Sequence, residues 1–208
     1  MKLWQKKQTT VTEAVDRFTV GDDRLWDVRL APYDVLGSKA HAQMLATVGL
    51  LTADEAEALC SELDIIMALV TKEDFVIEDD FEDIHSKIEF MLTERLGDVG
   101  KKIHTSRSRN DQVLTAMQLL LKDEITEIKE LTKALFSTWM SLAEKHKNDL
   151  LPGYTHLQVA MPSSFGLWFS AYAESLVDDV ILLNAAHTIC DQNPLGSAAG
   201  YGSSFPID

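Results

Sequence analysis

From about Ser108 to Lys147 the chain runs some forty residues without a proline or a glycine. Leu114, Met117, Leu121, Ile125, Ile128, Leu131, Leu135, Trp139 and Leu142 recur along it at intervals of three and four. That period predicts one amphipathic helix, which at 1.5 Å per residue would reach roughly 60 Å. A helix so much longer than a small domain must lie along partner helices, as in a bundle or coiled coil. This single element excludes most folds built on sheets.

The rest of the chain agrees with a helical reading. Ser38–Val48 carries Ala, Met and Leu at helical spacing and is closed by Gly49. Thr52 followed three residues later by Glu55 predicts a capping box, opening a helix whose apolar face is Ala56, Leu59, Leu63, Ile66 and Val70. The acidic stretch Glu73–Asp83 reads as a loop leading into a helix over Ile84–Leu96, closed by Gly97 and Gly100. Pro152-Gly153 ends the long helix. Pro162 is expected near the first turn of another, with a face of Phe165, Phe169, Tyr172, Leu176, Val180, Leu183 and Ile189. Gly196, Gly200 and Gly202 then mark a loop. With no alternating strand run longer than a few residues, the expected fold is all-α. A small N-terminal helical domain (1–104) is followed by the first long helices of a central helical bundle (105–208), truncated before its partners.

Charge narrows the partners. With 19 basic against 33 acidic residues the net charge is −14, and no basic stripe is present, which argues against nucleic acid. No apolar run approaches the ~20 residues of a membrane span, and the N-terminal segment has basic residues but no apolar core like that of a secretory signal. Cys60 and Cys190 lie in apolar helical patterns, without ligand spacing, and are expected as buried thiols in a reducing compartment. The expectation is a cytoplasmic protein.

Three segments could carry chemistry. His104-Thr-Ser-Arg-Ser-Arg-Asn-Asp-Gln112 precedes the long helix. The guanidinium forks of Arg107 and Arg109, the neutral donors of Ser106, Ser108 and Asn110, and a helix N-terminus all suit a small multi-carboxylate ligand. The same residues could equally form a helix cap with two surface arginines. Pro152-Gly-Tyr-Thr-His-Leu-Gln158 offers His156 as a proton acceptor, since imidazole titrates near neutrality, with Thr155 beside it to bond a carboxylate. A histidine at such a junction also commonly serves only as a cap. Asp79, Asp80, Glu82, Asp83 and His85 have no common metal-ligand spacing and read as a solvated acidic loop, with His85 kept as a candidate site residue.

Taken in order, LTERLGDVGKKIHTSRSRNDQ, LPGYTHLQ and NPLGSAAGYGSSFPID resemble the argininosuccinate lyase branch of the fumarase/aspartase superfamily, and the resemblance begins at Lys2-Leu3-Trp4. It implies reversible elimination of argininosuccinate to arginine and fumarate, within arginine biosynthesis, without a metal or organic cofactor. It maps Ser108, Arg109, Asn110 and Thr155 to substrate binding and His156 to the base or its activator. It also implies a homotetramer whose active sites are shared between subunits. Other lyases of the superfamily, such as adenylosuccinate lyase or aspartase, and a non-catalytic, crystallin-like structural relative are the alternatives.

Three segments depart from the family pattern. Ser106 stands where the family usually has glycine. Leu157-Gln-Val-Ala-Met-Pro162 replaces the usual LQRAQP, so that Val159 and Met161 stand for an arginine and a glutamine. Asp23 stands for a serine that touches substrate; its carboxylate would repel substrate carboxylates but could hold a guanidinium. The family's flexible loop with the catalytic serine would lie beyond Asp208, so the 208-residue chain is expected to be inactive alone.

Overall fold

The computed structural model describes residues 13–196, 198 and 200–208, so the Lys2-Leu3-Trp4 resemblance lies outside the described residues. The elements are α1 (Glu13–Val20), α2 (Asp23–Thr47), α3 (Ala53–Val70), α4 (Ile84–Leu96), α5 (Asp98–Lys101), α6 (Arg109–Lys145), β1 (Leu150–Thr155), β2 (Gln158–Ser164) and α7 (Phe165–Cys190), with a 3₁₀ turn over Lys102–His104. They pack as two compact units, one reaching Leu120 and including Asn193–Asp208, the other Leu121–Gln192. The boundary falls within α6.

The first unit is built on α2, α3 and α4, each packed against the other two. Its core holds Val35, Leu45, Leu59, Leu63, Ile66, Ile84, Ile88, Leu92 and Ile103, all essentially inaccessible. The face predicted for α3 is the buried one, Ala56 through Val70. Its capping box is present in both directions: Glu55 N–H donates to Thr52 Oγ1 at 3.2 Å, and Thr52 N–H donates to the Glu55 carboxylate at 3.1 Å. α4 has the predicted bounds, capped by Asp83, whose Oδ1 accepts from Ser86 N–H at 2.7 Å.

Two boundaries differ from expectation. α2 begins at Asp23, well before Ser38, and runs through Pro32. Tertiary packing against α3 and α4 holds this helix across a residue that lacks the N–H for one intrahelical bond. Gly97 caps α4 at φ 59°, but Gly100 lies inside the short α5, where a Cβ would sit 2.3 Å from Leu92 O. Close approach, rather than helix termination, fixes that glycine.

The second unit holds the remainder of α6, a hairpin and α7. The helices meet at Gly166, where an added Cβ would lie 2.6 Å from Lys147 Cα, and Trp139 meets Tyr172 edge-on at 5.4 Å between ring centroids. The hairpin was not expected. β1 and β2 pair antiparallel, with Pro152 opposite Pro162, so Pro162 lies in a strand and α7 starts at Phe165 with Ser164 as its cap. Prolines are tolerated because a two-stranded ribbon leaves one side of each strand unpaired. Both faces are largely exposed, so the sequence lacks the alternation that marks a half-buried strand. A bulge between Pro152 and Tyr154 coincides with Gly153, where a Cβ would come 2.9 Å from Met161 O.

Along α7 only Gly166 and Ala173 are buried, whereas Leu182 and Ile189 of the same helix are mostly exposed. Cys60 and Cys190 are free and half-buried rather than buried: the first flanks the buried Leu59–Leu63 stripe and the second ends α7. No helix among the described residues is long and apolar enough to cross a membrane.

Candidate functional site

The polar block begins where the 3₁₀ turn gives way to α6. Ser106 bends the chain with φ 55°, in the left-handed region that favours glycine. Its Oγ is shut off from solvent and has no hydrogen-bond partner among the described residues. Ser108 then caps α6: its Oγ accepts from Asp111 N–H at 3.1 Å, and its own N–H donates to Asp111 Oδ2 at 3.0 Å. Asn110, in the first turn, is exposed.

The two arginines differ. Arg107 is buried and donates from Nη1 to Ser38 Oγ at 3.0 Å, so it is not a surface arginine. Arg109 is half-buried and reaches toward the start of α4. Its guanidinium lies 3.7 Å from Asp83 Oδ2 and 3.6 Å from Glu89 Oε2, and it donates to Ser86 Oγ and Gln112 Oε1, each at 3.3 Å. Beside it His104 Nδ1 lies 3.8 Å from Glu89; burial holds that imidazole below its usual pKa against the pull of Glu89. The block therefore presents one partly accessible guanidinium flanked by carboxylates, an exposed amide and a capped helix N-terminus.

His85 is not in a solvated loop. It occupies the first turn of α4, fully buried, with Nδ1 2.8 Å from Oδ1 of the equally buried Asp34 on α2. Burial works to raise the Asp34 pKa, but His85, Arg107 and Arg109 together outweigh it and hold the carboxyl below its usual range. Gln112 Nε2 also lies 3.5 Å from Asp34 Oδ1, so this carboxylate joins α2, α4 and α6. Of the acidic stretch, Asp79 and Asp80 are exposed, and Arg24 ties the loop to α2 by donating to Phe81 O at 2.7 Å and Asp79 O at 3.0 Å. Asp23 is exposed at the first turn of α2. Nearby Asp27 accepts from Ile84 N–H at 3.2 Å, and burial raises its pKa.

Asp27, Asp34, Ser38 and His41 escaped the sequence reading. Their spacing of seven, four and three places them on one face of a helix, and that periodicity of polar residues was the available signal. His41 is buried, with Nε2 2.9 Å from Thr105 O. Burial, with Arg107 adding to it, lowers its pKa to about 4. The ring is therefore neutral at pH 7, and Nε2 carries the proton donated to that carbonyl.

Thr155 and His156 lie at the tip of the hairpin in the second unit, both exposed. Thr155 pairs with Gln158, leaving His156 and Leu157 as a two-residue turn with φ 51° and 64°. Positive φ at both positions is the type I′ geometry that suits hairpin twist and ordinarily selects Asn or Gly. Val159 and Met161 follow on β2 with exposed side chains.

The match of residues 7–208 to the lyase family shows that the chain belongs to that family. Among curated proteins it is similar to the argininosuccinate lyases of Phocaeicola vulgatus (59% identical over 207 residues, 100% of this chain and 46% of the relative) and Parabacteroides distasonis (58%, the same coverage). The argininosuccinate lyase of Stenotrophomonas maltophilia is 43% identical over 99% of this chain and 48% of its own length. The chain thus spans about half the length of the curated relatives it matches. Among solved structures, EDDS lyase in complex with formate superposes with a TM-score of 0.78 at 24% identity, covering 96% of this chain and 40% of that one. The Brucella melitensis fumarate lyase:delta crystallin gives 0.74 at 22%, covering 89% and 46%. These structural likenesses establish the helical fold.

Proposed function

We propose that this chain forms part of an argininosuccinate lyase, which cleaves argininosuccinate reversibly to arginine and fumarate in arginine biosynthesis. In this elimination a base takes a proton from the methylene beside one succinyl carboxylate. The electron pair passes through that carboxylate as an aci-carboxylate, a carbon–carbon double bond forms, and the bond from the adjacent carbon to the guanidinium nitrogen breaks. Preorganised donors aimed at the developing charge lower the barrier most effectively.

Arg109, Asn110 and the Ser108-capped start of α6 are the proposed carboxylate donors, with Thr155 as a further contact. His156 is the proposed base or its activator, a role in general acid–base catalysis worth about 10²–10⁴ in rate. His85 and Asp23 are secondary candidates, His85 acting from beneath through Asp34. The assembly is proposed as a cytoplasmic homotetramer with active sites shared between subunits. The observation carrying this reading is identity of 57–59% to five argininosuccinate lyases across the whole chain.

The test uses a protein of the relatives' full length. Fumarate release from argininosuccinate, followed by ultraviolet absorbance, is expected to proceed and to fall at least a hundredfold in His156→Asn. Activity on adenylosuccinate or aspartate instead would assign another lyase of the superfamily. Activity on none of these would favour a structural role. The 208-residue chain by itself is expected to release no fumarate.

A further inference from the structure

The bend at Ser106 is held from both sides by one helix. α2 presents Ser38 and His41, one turn apart and both buried, to the two residues flanking the bend. His41 Nε2 donates to Thr105 O at 2.9 Å, immediately before Ser106, and Ser38 Oγ accepts from Arg107 Nη1 at 3.0 Å, immediately after it. Between them the backbone is at φ 55°, a conformation that L-residues with side chains adopt uncommonly and at a steric cost. Gly37, beside this pair, lets α2 approach α6 closely: a Cβ there would lie 3.3 Å from Thr115 Cγ2.

From these contacts we infer that Ser38 and His41 are positioning residues, which clamp the Ser106 bend and thereby fix the direction in which Ser108, Arg109 and Asn110 leave the start of α6. Neither touches the accessible part of the block. Their effect passes through Thr105 and Arg107. Released, Ser106 would relax toward negative φ, and the turn that caps α6 would rotate with it, carrying the Arg109 fork away from Ser86 and Glu89. The inference gains functional meaning from the proposed lyase reading, but the clamp itself does not depend on it.

Amide hydrogen exchange on the 208-residue chain tests the clamp. Ser38→Ala and His41→Leu are expected to speed exchange at residues 105–110 by about tenfold or more, and several-fold more than any rise at the α3 amides of Leu59–Ile66, as opening centred on the bend requires. His41→Gln, which keeps an N–H donor in reach of the carbonyl, is expected to restore slow exchange. Unchanged rates at 105–110, or an equal rise across α3, would overturn the inference. If His41→Leu does not fold, Ser38→Ala and His41→Gln decide the matter alone. In a protein of the relatives' length, Ser38→Ala is expected to raise KM for argininosuccinate several-fold, with a smaller change in kcat. Faster exchange with both constants unchanged would refute the positioning role. A wild-type enzyme without lyase activity would instead count against the proposed function and leave the exchange result to judge the clamp.

Discussion

Ser106→Gly should stabilise this protein, which is unusual for a substitution at a half-buried position. Ser106 sits at φ 55° with its hydroxyl occluded and unpartnered among the described residues. The left-handed conformation costs an L-residue about 1–2 kcal/mol, and an occluded hydroxyl without a partner costs about 1–3 kcal/mol more. Glycine removes both penalties but brings extra chain entropy to the unfolded state, which returns about 0.5–1 kcal/mol. The net expectation is a gain of about 1–4 kcal/mol. Hydrogen exchange at the α3 core amides of Leu59, Leu63 and Ile66 reads the opening of the first unit. One pKa-sized step of 1.36 kcal/mol is tenfold, so these amides should slow by about fivefold to a thousandfold. Ser106→Ala separates the two contributions, because it deletes the hydroxyl but keeps the strained backbone, and it should recover only the share owed to the hydroxyl. Exchange in Ser106→Gly at or above the wild-type rate would refute the reasoning, and would mean that the serine hydroxyl has a stabilising partner.

Three further outcomes follow from the same unit. Asp34→Asn removes the carboxylate shared by His85 and Arg107 and should cost about 3–5 kcal/mol, as for a buried charge pair broken from one side, seen as a lower urea midpoint. Thr52→Ala breaks the capping box of α3 and should cost about 1 kcal/mol, measured as a fall in Tm. On acidification, His41 holds a folded pKa of about 4 against an ordinary 6.5, so the unfolded chain gains a proton that the fold refuses. Its contribution is complete above pH 6.5 and lost progressively toward pH 4, amounting to about 3 kcal/mol. Urea midpoints taken between pH 7 and 4.5 should therefore drop in the wild type and drop less in His41→Gln.

Helices were legible where a cap and an apolar stripe coincided. Thr52 with Glu55 marked the start of α3, where capping and burial pointed the same way, and the run after the acidic stretch marked α4. The front of α2 was hidden behind Pro32, whose local cost is overridden by packing that no local pattern reveals. The hairpin was hidden for the opposite reason: two prolines and a glycine signalled a break, and with both faces exposed no alternation remained to signal strands. At the candidate site, the accessible residues Ser108, Arg109, Asn110, Thr155 and His156 stood out by residue type and local spacing. The residues beneath them did not. Asp34, Ser38 and His41 sit on α2, some seventy residues before the segments they contact, and only folding brings them there.

The tip of the hairpin offers an experimental handle. Leu157 is 99% exposed in a turn that favours residues smaller than leucine. A cysteine placed there, with Cys60 and Cys190 replaced by serine and alanine, would accept a fluorophore without displacing any packed side chain. The dye would sit one residue from His156, where its emission could register an arriving small molecule before any bond is broken.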